Sequence, residues 1–157
     1  MSSESFGTEL IERYLLARGR RYFRGQHDGE YFFILTVGHA RLHVHVEVPP
    51  ADQGTVKVRV TPANFYPVAD RARLMTIADK WNADARTRAV VYESCDQTRI
   101  GVVAVESYRV APSMPFEEFS GLADNTIRSA VKLFAEMTSG VEKTAARTLG
   151  TWLSAAG

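Results

Sequence analysis

From Arg41 to Val48 the chain alternates strictly, with Leu42, Val44, Val46 and Val48 apolar and Arg41, His43, His45 and Glu47 polar. A period of two places these sets on opposite faces of a β-strand, one buried and one wet. Pro49-Pro50-Ala51-Asp52-Gln53-Gly54 forces a turn, and Val56, Val58 and Val60 then repeat the alternation against Thr55, Lys57, Arg59 and Thr61. The two strands are expected to pair antiparallel. Upstream, Arg20–Arg24 and Tyr31–Val37 flank Gly25-Gln26-His27-Asp28-Gly29, whose aspartate-glycine step favours the positive φ of a hairpin. Downstream, Ala89–Ser94 and Arg99–Val110 surround Asp96-Gln97-Thr98 and predict another antiparallel pair.

Helical spacing takes over elsewhere. Phe6, Leu10 and Tyr14, with Ile11 and Leu15 beside them, predict a helix over Phe6–Ala17, which Gly19 is placed to end. After a loop at Pro62–Pro67, Leu74, Ile77, Ala78 and Trp81 recur at the i, i+3, i+4, i+7 interval opposite Arg73, Asp79 and Lys80. Asn82, which tolerates left-handed backbone, is expected to cap that second helix. Pro115 suits a first helical position, and Glu117 and Glu118 follow in the opening turn, where the helix dipole favours carboxylates. Phe119, Ala123, Ile127, Ala130, Val131 and Phe134 continue as one stripe to about Thr138. Ser139-Gly140 interrupts it, and Val141, Ala145, Leu149 and Trp152 form a weaker stripe beyond.

This order, α-β-β-β-β-α-β-β-α with a further helix at the end, predicts an α+β fold: an antiparallel sheet of about five or six strands with helices packed on it. At 157 residues the chain is expected to be one domain, 1–157, with a core over about 8–138 and a helical extension at 140–157. The composition, 45% hydrophobic and 24% charged, is that of a globular protein. A net charge of +1 supplies no global field to draw in a polyanion, so nucleic-acid binding would need a local patch. The lone cysteine, Cys95, excludes an intramolecular disulfide and fits a reducing compartment. Neither a secretory leader pattern nor a run of roughly 18 apolar residues is present, so a cytoplasmic protein without membrane contact is expected.

The element order, the Trp81-Asn82 pair closing the middle helix and the aromatic Phe134 near the end of the long helix together resemble the YbjN-like family, over about Thr8 to Met137. That family of bacterial sensory transduction regulators is similar in fold to the type III secretion chaperones. The resemblance implies a domain that acts by binding a partner, often as a dimer in the chaperone relatives, with no catalytic residues to carry over. The segment from Gly140 to Gly157 goes beyond the family pattern.

Candidate chemistry is sparse. His43 and His45 share a strand face, with His39 and Glu47 nearby, but Arg41 on the same face opposes a cation, so no metal and no cofactor is expected. Arg18, Arg20, Arg21 and Arg24 surround Tyr22 and Phe23, a combination that suits phosphates and stacked bases, yet arginines also gather at helix C-termini for dipole reasons. Nucleic-acid binding through them is the alternative, not the leading reading. No glycine-framed nucleophile, phosphate loop or dinucleotide signature occurs, and Glu117-Glu118 point about 100° apart on a helix. No catalytic residue is expected. Trp81 and Phe134 read as core, whereas Trp152 reads equally as core or as contact surface. The leading expectation is a non-enzymatic protein-binding domain, chaperone-like or regulatory, with another protein as partner, a homodimer as an option, and Phe65, Tyr66 and Trp152 as contacts. A small-ligand sensor with a pocket built from dispersed residues is the remaining alternative.

Overall fold

The computed structural model describes residues 6–138. Their order is α1 (Phe6–Ala17), β1 (Phe23–Arg24), β2 (Glu30–Val37), β3 (Ala40–Glu47), β4 (Thr55–Pro62), β5 (Tyr66–Pro67), α2 (Arg71–Asp84), β6 (Arg88–Glu93), β7 (Arg99–Arg109) and α3 (Phe116–Thr138), with a 3-10 turn at Val68–Asp70. The expected helix from Val141 to Trp152 lies outside the described residues.

All seven strands belong to one antiparallel sheet. Ile100 of β7 pairs with Glu93 of β6 and with Tyr66 of β5, so β5 lies on the flank of β7 that β4 also occupies. The lateral order is therefore β1, β2, β3, β4 followed along its line by β5, then β7 and β6. The segment read as a loop, Pro62–Pro67, contains β5; two residues carry no periodicity, and only the distant partners Arg99 and Ile100 make them a strand.

One face of the sheet carries Tyr31, Phe33, Leu35 and Val37 of β2, Leu42, Val44 and Val46 of β3, Val56, Val58 and Val60 of β4, and Ile100, Val102 and Ala104 of β7, all buried. These join Ile11, Tyr14 and Leu15 of α1, Leu74 and Ala78 of α2, and the α3 stripe from Phe119 to Met137 in a single cluster, so the described helices all pack on this face. Each such valine, leucine or phenylalanine removed from water contributes about 1.5–3 kcal/mol. Trp81 and Phe134 take part in this core, as their spacing predicts.

Local chemistry sets the ends of the elements. Gly19, at φ +62°, closes α1 with its N–H on the Leu16 carbonyl and the Arg20 N–H on the Leu15 carbonyl, the paired bonds of a Schellman cap. Asp124 of α3 accepts hydrogen bonds from the Tyr14 hydroxyl and the Arg18 guanidinium, while Arg18 also donates to Ser120 at 2.8 Å, which locks α1 against α3. Asn82 corrects the expected cap. The helix runs two residues past it to Asp84, and Gln97 is the described non-glycine residue with positive φ. The Asn82 amide instead donates to the Ala89 carbonyl at 2.9 Å and accepts from the Ala89 N–H at 2.7 Å, while Trp81 Nε1 donates to the Thr87 carbonyl at 2.9 Å. The tryptophan-asparagine pair thus staples the end of α2 to the start of β6.

Candidate functional site

With the described helices on one side, the opposite face of the sheet is open. Cross-strand register sorts its side chains into rows. Ile34 lies opposite His43, which lies opposite Thr61; the next row runs Phe32, His45, Arg59, Val105, Arg88; and the next runs Glu30, Glu47, Lys57, Ser107. Phe23 of β1 sits directly opposite Phe32. Phe23, Phe32 and Ile34 are 67%, 41% and 50% exposed and form an apolar strip along the β1–β2 margin. Beyond Phe32, the outer side of β2 has no pairing strand among the described residues. Unpaired backbone beside exposed apolar side chains is the arrangement that accepts an added strand. The strip was legible in principle, because Tyr31–Val37 is apolar on both faces while β3 and β4 alternate cleanly.

The lower corner of the same face holds the main ionisable cluster. Glu30 and Glu47 face each other across β2 and β3, a like-charge pairing that is unfavourable without cationic neighbours. His45 Nε2 lies 2.8 Å from Glu30 Oε2, and its ring stacks on Phe32 with centroids 4.6 Å apart. His27 folds back from the turn, placing Nε2 3.1 Å from Glu47 Oε2 and 3.9 Å from Glu30 Oε2. Arg59 lies 3.8 Å from the other Glu47 oxygen. The turn allows this because Gly25 has no side chain: a Cβ there would collide with the Glu30 carboxylate, which also accepts the Gln26 N–H at 2.7 Å.

Histidine expectations are revised accordingly. Glu47 and His45 do belong to a cluster, but their partners are His27 and Glu30, while His43 pairs across the strands with Ile34 and Thr61. No spacing rule joins Glu30 to Glu47; the register of β2 on β3 does.

His27 holds its proton above the usual imidazole range, chiefly through the Asp28 carbonyl and further through Glu47 and Glu30. Glu30 is held below the usual carboxylate range, chiefly by the hydrogen bond from His45. A raised folded-state value stabilises fully below the unfolded value and loses that effect as pH rises through it; a lowered carboxylate value stabilises above the unfolded value and loses it as pH falls. His27 and Glu30 together therefore stabilise the protein most between about pH 4.3 and 6.5. Thermal midpoints of wild type and His27→Gln are expected to differ most in that window and to converge as pH rises above it.

The arginine group is spent largely on internal contacts. Arg18 pairs with Asp124, Arg24 with Glu12, and the Arg20 guanidinium lies 5.7 Å from the Phe33 ring centroid, which leaves Arg21 outside these contacts. Among the proposed partner contacts, Phe65 is exposed beneath the Arg99 guanidinium at 5.0 Å. Tyr66 is half-buried against the core, and burial raises its hydroxyl pKa. Trp152 lies outside the described residues. A depression lined by Phe6, Glu9, Leu10, Arg13, Pro112 and Met114 encloses about 150 Å³, short of the roughly 300 Å³ at which small-molecule sites begin. No helix among the described residues is long and apolar enough to cross a membrane.

No family model and no curated protein matches the chain by sequence. Solved structures do match in fold. YbjN from E. coli, described as a proposed transcription regulator, superposes with a TM-score of 0.59 at 10% identity, covering 80% of this chain and 86% of its own. An uncharacterized protein from Methanothermobacter thermautotrophicus superposes with a TM-score of 0.58 at 6% identity, covering 83% of this chain and 96% of its own. The resemblance read from element order and the Trp81-Asn82 pair is thus borne out at the level of architecture, and the chain has the α+β fold of YbjN.

Proposed function

We propose that this chain is a non-enzymatic, regulatory protein-binding domain whose β2 margin takes up an extended segment of a partner protein. The observation that carries this is the exposed strip Phe23, Phe32 and Ile34 beside the unpaired outer side of β2. Backbone hydrogen bonds to a sheet edge supply affinity that is independent of sequence, and alternate side chains of the added strand then reach the strip. Charge narrows the partner. Arg21 and Arg41 flank the margin, both exposed and in no ion pair among the described residues, whereas Glu30 and Glu47 are engaged with histidines. The occupant is therefore an extended segment that presents both apolar residues and aspartate or glutamate on one side, at i, i+2 spacing, because Phe32, Ile34 and Arg41 share the open face.

Panning a displayed random-peptide library on the full chain tests this. Enriched peptides should carry apolar and acidic residues at i, i+2 spacing and should lose about tenfold or more in affinity on Ile34→Lys or Arg41→Glu, since either change removes a contact of roughly 1.4 kcal/mol or more. Failure to enrich, or enriched peptides indifferent to both variants, would overturn the reading. So would a wild-type dimer in sedimentation that Ile34→Lys converts to monomer, because the occupant would then be a second copy of this chain.

A further inference from the structure

We propose that His27, Glu30 and Glu47 form a binding site for a divalent transition-metal ion, with His45 as the positioning residue that holds Glu30. One nitrogen or oxygen from each of the three lies within 4.8 Å of the others. A tetrahedral ion with bonds of about 2.0 Å needs its ligand atoms about 3.3 Å apart. The His27 Nε2 distances of 3.1 Å to Glu47 and 3.9 Å to Glu30 already bracket that value.

The hydrogen-bonding of His27 calls for a positive charge, a proton or a metal ion, at the same place. Its Nδ1 lies 3.0 Å from the Asp28 carbonyl and its Nε2 3.1 Å from a Glu47 carboxylate oxygen. Both neighbours are acceptors, and a neutral imidazole has one N–H to offer. With Nδ1–H given to Asp28, the Nε2 lone pair faces a carboxylate. Either a second proton or a metal ion must lie between them. The Asp28 bond is also what fixes the ring of a metal-binding histidine and directs Nε2 to the ion. An ion there would relieve the directly opposed Glu30 and Glu47, and one imidazole with two carboxylates suits zinc-like ions.

The surrounding charges leave the site open to a cation. Arg59 approaches Oε1 of Glu47 and leaves Oε2 to the site, and Lys57, opposite Glu47 in the register, makes no ion pair with it. His45 bonds Glu30 Oε2 from the Phe32 side and sets its direction. Bound metal would tie the Gly25–Gly29 turn to β3. This inference stands apart from the docking reading, since peptide panning can fail without affecting it.

Zinc chloride titrated calorimetrically into the full chain near pH 6 tests it, with cobalt chloride as a spectroscopic probe. One equivalent is expected to bind, displacing the His27 proton, so the heat should depend on the ionisation enthalpy of the buffer; cobalt should give the visible bands of a low-coordinate site. His27→Gln and Glu47→Gln should each weaken zinc at least about tenfold, while the neighbouring His43→Gln changes it by less than about twofold. Gly25→Ala keeps the fold, as circular dichroism should confirm, but pushes the Glu30 carboxylate aside and should weaken zinc as well. Absence of binding at micromolar zinc would overturn the proposal. Binding that survives His27→Gln and Glu47→Gln, or that His43→Gln weakens as much, would also overturn it.

Discussion

Replacing Phe119 by alanine is expected to destabilise the protein by about 3–5 kcal/mol, the largest effect of any single truncation considered. Phe119 is fully buried on the first turns of α3, where the Tyr14 and Tyr108 rings meet it edge-on with centroids 6.1 and 6.4 Å away. It therefore joins α1, α3 and β7 at one point. Truncation removes a phenyl group's transfer free energy and leaves a cavity whose walls are held apart: Tyr14 is tied to Asp124, and the Tyr108 hydroxyl donates to the Leu122 carbonyl at 3.0 Å. Walls fixed in this way cannot collapse inward, which is the condition for the upper part of the range. Urea denaturation monitored by circular dichroism measures it. A loss below about 1.5 kcal/mol, the range of a volume-conserving swap, would show that this junction does not hold the helices to the sheet.

The second large effect is expected at Asn82. Its amide satisfies both backbone groups of Ala89, which is itself buried. Asn82→Ala strands a donor and an acceptor together, and each costs about 1–3 kcal/mol when left without a partner, so a loss of about 2–4 kcal/mol is expected. Asn82→Asp separates the two contributions. Aspartate still accepts from the Ala89 N–H but turns a carboxylate oxygen towards the Ala89 carbonyl, so it should fall no closer to wild type than alanine does. Equilibrium unfolding of the three proteins provides the comparison; an aspartate variant as stable as wild type would refute the reciprocal bond. Loss of this staple also frees the outer edge of β6, and the alanine variant is accordingly expected to aggregate faster in light scattering.

Both residues illustrate which features could be read along the chain. Phe119 belongs to a 3.6-residue stripe, and that spacing alone marks it as facing the core. Asn82 was placed at a helix end on the strength of its residue type, and the structure gives it a partner seven residues further on, across a turn. The same divide separates the two halves of the histidine cluster. His45 and Glu47 stand on one face of a strand whose alternation is plain, whereas His27 and Glu30 reach them through a turn that folds back and a register that pairs Glu30 with Glu47. The apolar strip at the margin lay in a run whose two faces are both hydrophobic, and periodicity alone does not say which face the helices cover.

Local repetition along the chain was enough for the helices, the longer strands and the inward set of valines, because a side chain's direction follows from its position within a regular backbone. The side of the sheet that stays uncovered, the line of β5 behind β4, the pairing of two glutamates and the convergence of His27 on them came from contacts between segments far apart in sequence. Those contacts depend on how the whole sheet is ordered and which of its faces the helices bury, a global minimum of exposed apolar area that no short window of residues encodes.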